Sequence, residues 1–210
     1  MRKFAIQLGA CDGKVDVFIG KDRVWKLIVE KGWSGALVEP NPVAFELLSK
    51  NYTPYKNRVK LFQIAIGDTE GNVKLYVSAD SNLQISSLFP AHLEKHKSIG
   101  LPIDVKCKTI NQFLHDLNSK KIDLLMIDVE GYDGYIIENI DLEKYKISEI
   151  QYEHFHMTQE QRKKCLEKLK EYGYRTLVTK TDTLCFKRRL EYYFKLIKLR
   201  IRHFIFYFRS

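Results

Sequence analysis

The segment 122–128 constrains this chain most. After Ile122 and Asp123 it runs Leu124-Leu125-Met126-Ile127 without alternation, then stops at Asp128. A strand that is apolar on successive residues is buried on both faces, the condition of a central parallel strand covered by helices. The rest of the sequence supplies what such a sheet needs. Strand-length apolar runs at 4–9, 36–39, about 59–66 and 148–153 are separated by helical periodicity at 21–31, 42–51, 110–118 and 158–172. A short helix is expected to about residue 138. Alternating strands at 73–77 and 103–108 flank a long polar segment, 78–102. A loop of that length inside one domain is usually functional. Two last strands, 174–178 and 183–187, read as a hairpin over Thr181-Asp182. The order predicts an α/β fold with a mostly parallel sheet, right-handed crossovers and an antiparallel C-terminal edge.

In such sheets ligands bind beyond the carboxyl ends of the strands. Here those ends carry Asp12, Glu39, Asp68, Asp128, Glu130, Glu153 and His154. The first strand runs straight into Gly9-Ala10-Cys11-Asp12-Gly13, a turn that brings backbone close to a ligand. The second ends in Glu39 before Pro40-Asn41-Pro42. Strand, glycine turn, helix, strand and acid is the arrangement that holds an adenine nucleoside, with the acid on the ribose hydroxyls. Asp128 reads either as a helix cap or as a group at the ligand. A Glu153-His154 pair beside it would form a general-base cluster, since crowded carboxylates raise one another's pKa. The same oxygens can hold a divalent cation, but no spacing demands one, so no metal is expected.

Charge separates the chain into two parts. Of the formal net charge of +9, +6 lies in residues 188–210. Residues 1–187 are expected to form one domain, too mildly basic to suggest nucleic acid as a partner. The tail 188–210 places Leu190, Tyr193, Phe194, Ile197, Ile201, Phe204, Ile205 and Phe208 at helical spacing among its cations. It reads as a basic amphipathic helix that reaches a membrane surface, or else docks on its own domain or a second copy. Four cysteines without metal spacing suggest reduced, mostly buried thiols in a cytoplasmic protein, peripheral at the inner membrane face if the tail binds lipid. The N-terminus has no signal-peptide pattern, and no apolar run is long enough to span a bilayer.

Taken in order, QLGACDG (7–13), LVEPNP (37–42) after Gly32-Trp33, AIGDTEG (65–71), SSL (86–88), IDVEGYD (127–133) and YEH (152–154) resemble the FkbM-type methyltransferases. The resemblance covers about 7–187 and leaves the tail outside. It implies a class I Rossmann-like fold that binds S-adenosylmethionine and transfers methyl to a hydroxyl of a sugar, polysaccharide or small metabolite. It further implies that Gly9, Ala10, Asp12 and Gly13 line the methionine part, with Glu39 on the ribose. Pro40, Asn41, Ala65, Ile66 and Asp68 would border the adenine. Asp128, Glu130, Glu153 and His154 would face the methyl group and its acceptor. Gln7 departs from the pattern, standing where many methyltransferases have an acid. Two other readings compete: a nicotinamide-dependent oxidoreductase, opposed by the glycine spacing, and a non-catalytic membrane-associated protein, opposed by the intact acids.

Overall fold

A computed structural model of the chain describes residues 2–16, 20–78, 86–88 and 100–187, together with 193 and 196. The expected tail helix lies outside the described residues apart from those two positions, as does most of the 78–102 segment. The main sheet has seven strands. From one edge to the other they are β12 (Arg175–Val178), β13 (Asp182–Phe186), β11 (Lys146–Glu153), β10 (Lys121–Ile127), β1 (Phe4–Leu8), β4 (Ser34–Val38) and β5 (Val59–Phe62). β5, β4, β1, β10 and β11 are all parallel, and β13 runs antiparallel to both its neighbours. β10 is therefore central, as its apolar run predicts. Its one acid, Asp123, accepts the Phe4 N–H at 3.0 Å and seats the start of β1.

Helices cover both faces. On one side are α3 (Ile110–Leu117), α4 (Asp133–Asn139) and α5 (Gln159–Glu171). Ile110, Phe113, Ile136, Ile137, Cys165 and Leu169 bury against Ile6, Leu125 and Ile150 there. On the other side are α1 (Arg23–Trp25), which continues as a π-helical turn over Lys26–Glu30, and α2 (Pro42–Tyr52). Val24, Trp25, Ile28, Leu48 and Tyr52 pack on Ala5, Leu37 and Leu124. Local chemistry starts the helices where the sequence indicates. Asn41 caps α2 with Pro42 behind it, Thr109 caps α3, and Thr158 with Gln161 closes a capping box on α5.

The apolar run 59–66 is not one strand. It breaks at Gln63-Ile64, and β6 (Ala65–Gly67) leaves the main sheet for a second one of four strands, β6-β9-β7-β8. β7 spans Gly71–Ser78, β8 Ser86–Ser87 and β9 Gly100–Thr109. β9 satisfies β6 and β7 together, a pairing between distant segments that local periodicity does not carry. A two-stranded ribbon, β2 (Val15–Asp16) with β3 (Gly20–Lys21), follows the glycine turn.

Candidate functional site

The turn after β1 is fixed from both sides. The Gly9 and Ala10 N–H groups both donate to Val38 O at 3.0 Å, and Gly13 N–H to Ala10 O at 2.7 Å. Gly9 has φ +77°, and a Cβ there would stand 1.7 Å from the Asp128 carbonyl oxygen. Glycine lets the end of β10 approach this closely. Gly13 has φ +66°, and its Cβ would strike Leu48 and Tyr52 of α2. Its glycine thus answers to core packing, with the Tyr52 hydroxyl donating to Gly13 O at 3.0 Å. Asp12 makes an Asx turn, its Oδ1 accepting the Lys14 N–H at 3.0 Å.

Glu39 ties this turn to the next loop. One carboxylate oxygen accepts the Cys11 N–H and the other the Asn41 N–H, both at 2.8 Å. Glu39 is only 4% exposed. Burial pushes its carboxyl from 4.5 up to about 7, against the lowering effect of those two N–H bonds. Each of its oxygens keeps lone-pair capacity for a further donor. Asn41 Nδ2, beside it, is buried without a partner, and so is Gln7 Oε1 beneath the turn. A carboxylate with spare acceptor capacity and an orphaned amide donor fit a nucleoside that carries a diol and ring nitrogens. Gln7 Nε2 donates to buried Asp22 at 3.1 Å, which returns an acid to the place where position 7 lacks one. Asp22 escaped the sequence reading because its evident role is the cap of α1, where it accepts the Trp25 N–H.

The second half of the site lies at the ends of β10 and β11. Asp128 reaches solvent along one flank, while the protein packed around its carboxyl displaces most of the water there. Loss of solvation, then the neighbouring Asp133, Glu130, Glu153 and Asp182, hold its carboxyl well above the ordinary range. Glu153 is pushed up to about 8, by burial first and then by Glu130, Asp133 and Asp182. Glu130 sits in the left-handed region at φ +51°, and its carbonyl accepts the Ser87 hydroxyl at 2.7 Å. β8 is thereby docked on the Glu130 loop. Leu88 packs at Gly67, which accounts for the SSL motif.

Of the residues expected at this cluster, His154 stands elsewhere. His154 is 2% exposed, its Nδ1 bonded to the Thr183 hydroxyl at 2.9 Å, and burial followed by Arg162 lowers its pKa. It ties β11 to β13, and the residue beside the acids is His156 instead. Its Nε2 lies 3.6 Å from Glu153 and 3.9 Å from Glu130. The change of partner follows from the strand's end: Glu153 closes β11, His154 faces away, and the turn brings the chain back after three residues. Ala65 and Ile66 are buried in β6, and Asp68 is exposed beyond it, near the Tyr132 ring. Asp133 and His156 were both visible in the sequence, within IDVEGYD and the Glu-His-Phe-His run, but nothing local separates them from cap and surface residues.

Fold and site together define a class I methyltransferase: a parallel sheet, a glycine turn after β1, an acid after β4 and a cluster of acids after β10. The chain matches the methyltransferase FkbM domain over residues 7–176 and belongs to that family, whose cofactor is S-adenosylmethionine. Membership displaces the nicotinamide reading. Among solved structures it is similar to the METTL16 MTase domain (crystal form 2), at 10% identity and TM-score 0.50, over 90% of this chain and 61% of that one. It is also similar to the precorrin-6y C5,15-methyltransferase of Geobacter metallireducens, at 15% identity and TM-score 0.46, over 90% and 82%. At these identities the likeness is one of fold. The chain spans about three-fifths of the METTL16 domain's length. No curated protein sequence matches the chain.

Proposed function

We propose that the chain is an S-adenosylmethionine-dependent O-methyltransferase whose acceptor is a hydroxyl of a sugar, polysaccharide or small metabolite. The supporting observation is the contact between cofactor turn and acid cluster: the Gly9 backbone packs on the Asp128 main-chain carbonyl, and, besides burial, the Asp128 carboxylate is close enough to raise the pKa of the Cys11 thiol in the same turn. The cofactor, when bound, brings a methyl group that is already activated, so this chain's residues have to align the acceptor and accept its proton. Glu39 holds the ribose and Asn41 Nδ2 donates nearby. Asp128 takes the hydroxyl proton, a task its raised pKa suits. Glu130 and Glu153 accept from neighbouring hydroxyls and orient the acceptor.

The chemistry of the cluster also bears on the substrate. Asp128, Glu130, Asp133, Glu153 and Asp182 stand together, a lining rich in carboxyl groups that accept hydrogen bonds from hydroxyls. Neutral polyols, which donate hydrogen bonds to carboxylates, are favoured. Incubation with methyl-labelled cofactor and a panel of glycans and hydroxylated metabolites should give S-adenosylhomocysteine and a methyl ether. Asp128→Asn should lower kcat by about 10²–10⁴-fold while leaving cofactor affinity unchanged. Full activity in Asp128→Asn, or methyl appearing only on nitrogen, would overturn the assignment.

A further inference from the structure

We propose that Glu130, Glu153 and His156 form a binding site for one divalent cation of the manganese and magnesium class. The residues come from two strand ends, Glu130 after β10 and the other two at the close of β11. One ligand atom from each can be chosen so that all three lie within 4.8 Å of one another. Bonds of about 2.0–2.2 Å to a shared ion bring such atoms to about 3 Å apart, so small side-chain rotations close the set. The side chains are 24%, 22% and 14% exposed, sheltered but open to solvent on one side. Two carboxylates and one imidazole, without thiolate, make an oxygen-rich set for a hard or borderline ion, with positions left for water or hydroxyl oxygens.

Asp133 points to the same ligand independently. It is 2% exposed, and its Oδ1 is buried without a hydrogen-bond partner while Oδ2 accepts the Gly131 N–H at 3.4 Å. A buried carboxylate oxygen without a donor is costly, and this one stands within the field of Glu130. Among the described residues, Arg23 is bonded to Glu149 and Gln151, and Arg162 to the Phe155 carbonyl. A divalent ion held by the triad would set positive charge beside these acids. Use of the ion to orient an acceptor hydroxyl rests on the O-methylation reading; binding of the ion does not.

Titration of the full chain with Mn²⁺ alone, without cofactor or acceptor, tests the site by calorimetry and by the electron paramagnetic resonance signal of free Mn²⁺. One ion per chain is expected, with affinity in the micromolar to submillimolar range. His156→Ala and Glu153→Gln should each weaken it at least about tenfold. His115→Ala, an exposed histidine beside Asp116, should leave it unchanged. Glu153→Gln removes a like charge, so its metal-free melting temperature should be no lower than wild type, which separates lost binding from lost fold. Absence of Mn²⁺ uptake by the wild-type chain, or equal uptake by wild type and both variants, would overturn the site. A failed methyl-transfer assay would not affect this result.

Discussion

Glu39 concentrates the residue-scale argument, because one carboxylate closes the fold and is the proposed ribose acceptor. Its folded pKa of about 7 lies above its ordinary 4.5. Between those values the unfolded chain has released the proton and the folded chain keeps it. Stability therefore falls as pH rises through that window and levels off above about 7, by at most about 3 kcal/mol for this group. Ribose hydroxyls donating to the carboxylate favour its ionised form, so cofactor binding should expel a proton below pH 7. Affinity for S-adenosylhomocysteine should climb up to about tenfold per pH unit to near pH 7 and then flatten. Calorimetry at several pH values, in buffers of different ionisation enthalpy, reads both the affinity and the released proton. Glu39→Gln should bind more weakly at pH 8 and lose the pH dependence. A wild-type affinity flat from pH 5.5 to 8 would remove Glu39 from the ribose.

At the scale of elements, the Ser87 hydroxyl of β8 ties the second sheet to the acid cluster. Ser87→Ala leaves the Glu130 carbonyl without that donor, a loss of about 1–3 kcal/mol. Because Glu130 holds a left-handed conformation, the loop should relax once released. Denaturant unfolding should show the stability loss. Steady-state kinetics should show a raised KM for the acceptor, and cofactor affinity should be unchanged. Unaltered acceptor kinetics would mean that β8 does not position Glu130. The elements themselves were largely legible in the sequence. Apolar periodicity and capping residues such as Asn41 and Thr158 act within a few positions, so the strands and helices of the main sheet fall close to where local chemistry puts them. What was not legible depends on distant partners. Residues 59–66 read as one strand because nothing local says that Ala65 pairs with Cys107. The Glu153-His154 pair looked catalytic because adjacency in sequence hides that the two face opposite ways. Gly13 looked like a ligand glycine, although Leu48 and Tyr52 are what it makes room for.

Over the whole molecule, charge is divided between the two ends of the sheet. The carboxyl ends carry the acid cluster. At the amino ends Arg2, Lys3, Lys120, Lys121, Lys146 and Lys187 are all exposed. β13 runs antiparallel, so it delivers the chain to this second end: Phe186 pairs with Glu149 early in β11, and Lys187 N–H donates to Ser148 O. The last strand therefore ends on this basic face, next to residues 188–210, which carry +6 of the net charge, and of these Tyr193 sets its ring 6.0 Å from the Arg175 guanidinium of β12. Among the described residues no helix is long and apolar enough to cross a membrane. Anionic lipid attracts each juxtaposed Lys or Arg by about 1 kcal/mol. The full chain should co-sediment with vesicles containing phosphatidylserine and be released by high salt, and it should stay in solution with phosphatidylcholine alone. A chain ending at Lys187 retains every strand of the sheet, so it should melt within a few degrees of the full chain and pellet with neither vesicle. Equal pelleting of both chains would place lipid contact on the body's basic face. A full chain that ignores anionic vesicles but doubles its mass in light scattering, while the shortened chain stays single, would assign the tail to self-association.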